Sequence, residues 1–124
     1  MINITKWKDE IANCAYDSTV GIKIAKLAGN KDFSTFITEI DESKSVNPHY
    51  HKNGDEHYHI VSGDGEIYLK NVVTGEENFY IVSAHQSFVV PENTLHKLTN
   101  TGSKPLVLMF SCPTSHLDSD RYLL

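Results

Sequence analysis

The hydrophobic rhythm of the chain changes once. Near the start, Trp7, Ile11, Ala12, Cys14 and Ala15 recur at helical spacing behind Thr5, a candidate cap, and predict a short helix through Ala15. Beyond it the period is two. Ile22-Lys23-Ile24-Ala25 alternates, Gly29-Asn30-Lys31-Asp32 turns, and residues 33–40 are β-branched and aromatic. Residues 56–61 predict a further strand. Ser62-Gly63-Asp64-Gly65 then turns into residues 66–70, where Ile67 and Leu69 share the inward face. Residues 79–82 and 87–90 are short apolar runs, the second stopped by Pro91. Residues 95–100 and 106–110 follow, separated by the Thr101-Gly102-Ser103 turn. Short strands at near-regular spacing with polar turns predict an antiparallel sandwich or barrel. The tail, residues 115–124, is polar and then apolar, and is expected to lie back over the barrel or across a partner subunit.

Length and charge narrow the function. At 124 residues the chain makes one domain, with a helical extension over 1–20, a barrel over 21–112 and a tail over 113–124. A net charge of −5 with no Lys/Arg cluster argues against nucleic acid, whose phosphates need a basic surface. Residues 1–7 lack the basic and apolar regions of a signal peptide, and no apolar stretch approaches spanning length. A cytoplasmic protein without membrane contact is expected. Cys14 and Cys112 then read as reduced thiols, a disulfide between them being the alternative. No Ser-His-Asp order and no phosphate-cradling glycine loop is present.

The chemistry concentrates in two fragments. His49 and His51 stand two apart, so on a strand they point to one face. Glu56 follows the turn-rich Lys52-Asn53-Gly54-Asp55, and His96 arrives from far along the chain. Three neutral imidazoles and one carboxylate suit one divalent transition metal per chain, and Mn, Fe, Co, Ni, Cu and Zn all accept such a shell.

These fragments resemble the two motifs of the cupin superfamily. His49, His51, Glu56 and Gly63 match the first, His-x-His, then Glu, then Gly. Pro91, Asn93, His96 and Asn100 match the second. The family's leading glycines are replaced: His85 stands at the second, and the first falls at Lys44 or nearby. Both are turn positions, so the departures bear on loop shape and not on ligands. The match covers about residues 44–100. It implies an all-β double-stranded β-helix, or jelly-roll, barrel with a short N-terminal helix, and His49, His51, Glu56 and His96 as metal ligands pointing inward. The motifs occur once, as in a monocupin.

Other residues divide by parity. If Glu56 points inward, so do Tyr58 and Ile60, and His57 and His59 face the other way. Tyr58 is the one further catalytic candidate, as a phenol donor in the pocket. Tyr58, Phe88, Leu98 and Phe110 are candidate pocket walls, and His85 reads as a surface turn residue. The resemblance implies a metalloenzyme acting on a small molecule, of dioxygenase, isomerase or epimerase, decarboxylase or lyase type. Two alternatives stand beside it: a non-catalytic module binding a metal and a small ligand, and a barrel with vestigial ligands. A homodimer is expected, because small open jelly rolls leave strand edges to cover.

Overall fold

The computed structural model describes residues 2–123. A short helix, α1 (Trp7–Asn13), precedes eleven strands. These are β1 (Tyr16–Asp17), β2 (Ile22–Gly29), β3 (Phe33–Ile40), β4 (His49–Tyr50), β5 (Glu56–Ser62), β6 (Asp64–Asn71), β7 (Glu77–Ser83), β8 (Ser87–Val90), β9 (Thr94–Asn100), β10 (Leu106–Pro113) and β11 (Tyr122–Leu123). They form two antiparallel sheets, ordered β1-β2-β3-β10-β5-β8 and β11-β4-β9-β6-β7. This is the antiparallel barrel expected from the period-two patterning, in the jelly-roll form that the family resemblance implies. No helix among the described residues is long and apolar enough to cross a membrane.

The core lies between the sheets. Along β10, Leu106, Leu108, Phe110 and Cys112 point inward, meeting Phe36 and Ile40 of β3, Ile60 of β5, Ile67 of β6 and Leu98 of β9. Val107 and Met109 point the other way. There they join Ala25, Leu27 and Ile37 beneath Ile11 and Cys14, so the helical extension covers the outer face of the six-stranded sheet. The cysteines sit in these two separate clusters as free thiols.

The helix itself needs correction. It is capped one residue later than expected and ends at Asn13: Thr5 Oγ1 donates to Leu27 O at 3.0 Å, and Lys6 at the N-cap makes no side-chain bond. An acceptor on β2 has taken the hydroxyl that would have capped the helix. Of the expected apolar stripe only Ile11 and Cys14 pack against the barrel, while Trp7 is exposed.

Two corners carry the chain between sheets. Gly63 alone separates β5 from β6, at φ +92°, and a Cβ there would stand 2.7 Å from Pro105 O. Only glycine fits that close approach. At the corner from β7 to β8, His85 adopts φ +70°, the left-handed conformation that the motif's glycine would supply freely. Ser43, beside the other missing glycine, does the same at φ +65°. Asn100 closes the second motif from within. It is buried, donates to Ile40 O at 2.9 Å and Lys104 O at 2.8 Å, and accepts from Gly102 N.

Candidate metal centre

Three strands and a loop bring the four nominated residues together. His49 pairs directly opposite His96 across β4 and β9. His51 follows β4, and Glu56 opens β5 in the other sheet. All four are buried. Suitable ligand atoms of His49, His51 and His96 lie within 4.8 Å of one another, as do those of His51, Glu56 and His116.

The hydrogen bonds fix the tautomers. Nδ1–H of His49 donates to Asn47 O at 2.8 Å, that of His51 to Asp120 O at 2.6 Å, and that of His96 to Thr94 O at 3.0 Å. Carbonyl oxygens only accept, so each Nδ1 carries the proton and each Nε2 keeps a lone pair. His51 Nε2 stands 3.2 Å from Glu56 Oε2, and His96 Nε2 stands 3.5 Å from Glu56 Oε1. Both nitrogens are buried without a hydrogen-bond partner. Lone pairs facing a carboxylate repel, and a cation among them turns that repulsion into coordination. The donor set therefore fits a divalent transition metal.

Electrostatics points the same way. Burial, and then the neighbouring His96, push His49 down to about 3, so it stays neutral. Burial likewise lowers His96. Burial alone would raise the Glu56 carboxyl, but the hydrogen bond from His116 holds it well below its ordinary range. Neutral imidazoles and an ionised carboxylate are the forms that ligate metal.

His116 escaped the sequence reading. It is buried, with Nδ1 2.9 Å from Glu56 Oε2 and Nε2 2.7 Å from Asn53 O. Both nitrogens face acceptors, so neither offers a lone pair, and the ring reads as an imidazolium partner of Glu56 rather than a ligand. Burial works against its charge; the bonds to Glu56 and Asn53 overcome this and raise its pKa. It is the one histidine of the tail, and no motif spacing marked it.

Beside the cluster lies a cavity of about 30 Å³, enough for one or two water-sized groups. Ile22, Val46, Leu98, Leu108 and Phe110 give it apolar walls, and Tyr58 lines it. The Tyr58 ring stands edge-on to His96, with centroids 6.1 Å apart. Burial and the Glu56 charge raise its pKa, so the phenol keeps its proton. Phe88 does not line this cavity, contrary to expectation. It packs against Tyr58 but faces a separate apolar groove at the β7 and β8 edges, because β8 ends its sheet. His57 and His59 point outward as parity requires, and His59 shares a hydrogen bond with Ser87 Oγ at 2.8 Å.

A small double-stranded β-helix barrel with a buried His/Glu cluster able to hold a metal is thus the class of protein defined by fold and site. The model of the cupin domain matches residues 36–112, more than half of the chain, and the chain belongs to that family. It is 33% identical over 78 residues to the alginate biosynthesis protein AlgA of Pseudomonas putida, covering 63% of this chain and 14% of that protein. The chain thus spans about a seventh of that curated relative. A double-stranded β-helix protein of Klebsiella pneumoniae superposes with a TM-score of 0.76 at 12% identity, covering 99% of this chain and 97% of the other. An oxalate decarboxylase of Lactobacillus farciminis, solved as a formate complex, superposes at 0.71 with 18% identity, covering 83% and 31%. At these identities the two structures speak for the fold alone.

Proposed function

We propose that this chain is a metal-dependent enzyme acting on a small molecule, with His49, His51, Glu56 and His96 as its ligands. The observation that carries the reading is the pair of buried, unpartnered Nε2 atoms of His51 and His96 turned toward Glu56. A divalent ion held there supplies Lewis acidity toward a substrate oxygen. The chain's own residues do the rest. The apolar walls exclude water and strengthen every charge interaction inside. Tyr58, kept protonated, donates a hydrogen bond to the bound group. The cavity admits only a small group, such as one carboxylate or carbonyl, and the oxalate decarboxylase neighbour with its formate is one precedent of that size. Elemental analysis of protein purified without chelator, followed by turnover assays of the loaded protein against small carboxylates and sugars, tests this. A Tyr58→Phe variant with lowered turnover is the expected result; a protein taking up no divalent metal overturns it.

One observation favours a second reading, a non-catalytic module binding a metal and a small ligand. Apart from Tyr58, the charged groups lining the cavity beyond the ligands are His116, engaged at both nitrogens, and Arg121, paired with Asp17 at 2.8 Å. Tight ligand binding without turnover would select it.

We also infer a homodimer in the cytoplasm. The free Cys14 and Cys112 suit a reducing compartment. The tail pairs with β4 of its own chain, which leaves the other end of that sheet to be covered. There the edge strand β7 exposes Phe79 at 63% and Ile81 at 75%. Residues 79–82 of this edge carry no charge, and an apolar edge of this kind is a pairing surface.

A further inference from the structure

We infer that the C-terminal segment, residues 114–121, is the outer shell of the metal centre, with His116 positioning Glu56 and Asp120 positioning His51. The inference rests on the metal reading above and assigns to that site two residues outside its motifs.

The segment leaves β10 as a 3-10 turn, Thr114–Leu117, and returns to the barrel as β11. Tyr122 and Leu123 of β11 pair with Tyr50 and His49 of β4, so the chain end is tied to the strand that carries the first ligand. Between these anchors it makes three sets of contacts. His116 bonds Glu56 Oε2 through Nδ1 and Asn53 O through Nε2, and its ring stacks on His51 with centroids 4.0 Å apart and planes at 5°. The main-chain oxygen of Asp120 accepts from Nδ1–H of His51 at 2.6 Å. The Asp120 carboxylate accepts from Lys52 N at 2.8 Å and Asn53 N at 2.9 Å.

These contacts converge on the loop between His51 and Glu56. His116 holds Glu56 Oε2 at 2.9 Å; Tyr58 and Cys112 also stand beside the carboxylate, and its other close neighbours, His51 and His96, are themselves nominated ligands. Without His116, Oε2 of the carboxylate loses its 2.9 Å donor. Without the Asp120 carbonyl, nothing holds the His51 proton on Nδ1 and its lone pair on Nε2. A residue present only to fill space would be apolar. Burying an imidazole is costly unless both nitrogens are satisfied, and here the satisfying groups are a nominated ligand and the loop that carries it. Outer partners of metal ligands typically contribute roughly 10- to 100-fold in metal affinity. The coupling is reciprocal: metal binding must tighten the segment by the factor with which the segment tightens the metal.

The test uses the full chain. Wild type, His116→Leu, His116→Gln and the distant core variant Val82→Ala are titrated with Zn²⁺, and their Co²⁺ visible spectra are recorded. Hydrogen exchange of residues 114–121 is followed with and without Zn²⁺. Expected are one ion in wild type, roughly 10- to 100-fold weaker Zn²⁺ binding with an altered Co²⁺ spectrum in His116→Leu, and partial recovery in His116→Gln, whose amide still donates twice. Val82→Ala, which lowers stability away from the site, should bind as wild type does. Zn²⁺ should slow exchange across the segment. If His116→Leu does not fold, His116→Gln decides by the same affinity and spectrum. Wild-type affinity and spectrum in the His116 variants overturn this inference and leave the metal reading standing. A wild-type protein that takes neither Zn²⁺ nor Co²⁺ overturns both.

Discussion

His116 donates from Nδ1 to Glu56 Oε2 at 2.9 Å, and the two residues are sixty positions apart in the chain. The bond joins the tail to the one carboxylate among the four nominated ligands. It makes the cluster of His49, His51, Glu56 and His96 a supported site rather than four side chains that happen to meet.

One divalent ion per chain is expected. His51→Ala should weaken binding by well over tenfold, and the combined His49, His51 and His96 alanine variant should bind none. Elemental analysis after dialysis measures this; unchanged metal content in the triple variant would sink the ligand assignment.

The metal-stripped protein should lose stability in acid. His49 is held at about 3 when folded, against an ordinary 6.5. Between those values the unfolded chain takes up a proton that the folded one refuses, so stability falls as pH drops from 6.5 toward 3. The Glu56 shift has the same consequence, its contribution being present above its ordinary 4.5 and lost as pH falls through the depressed value. His116 works in the opposite direction: its contribution is complete below 6.5 and fades as pH rises through its raised value. The His49 contribution alone amounts to as much as about 5 kcal/mol. Urea midpoints at several pH values report it, and a flat profile from pH 7 to 4 would contradict it.

His85→Gly should stabilise the protein. The residue is exposed and holds φ +70°, which costs a side-chain-bearing residue on the order of 1 kcal/mol. The extra freedom of glycine in the unfolded chain returns part of this, leaving a gain of about 0.5 kcal/mol. A lower denaturant midpoint in the variant would show that the corner is not strained.

Replacing His57 and His59 together with Gln should leave metal stoichiometry unchanged. Both are exposed on the face of β5 opposite Glu56 and Tyr58. Loss of the metal in this variant would mean that the strand register in solution differs.

Phe79→Lys combined with Ile81→Lys should convert the expected dimer to a monomer, because it places charge on the exposed edge of β7. Sedimentation velocity checks this. A wild-type monomer at high concentration would count against the dimer itself.

Much of this protein was legible along the chain. Alternation located β5 through β10 to within a few residues and placed Glu56 and Tyr58 inward and His57 and His59 outward, because side-chain direction on a strand depends only on the parity of neighbouring positions. Motif spacing nominated His49, His51, Glu56 and His96 for the same reason: each fragment is local, and the barrel brings the two together. What depended on packing between distant segments was not legible. Thr5 lost its capping role to a carbonyl on β2, and Phe88 turned to a groove at the open edge because β8 ends its sheet. The tail carries no periodicity, so nothing in its order shows that His116 reaches Glu56 or that Asp120 holds His51. Those contacts exist only because β11 pairs with β4 and draws the segment across the site, and such a pairing is set by the whole fold rather than by adjacent residues.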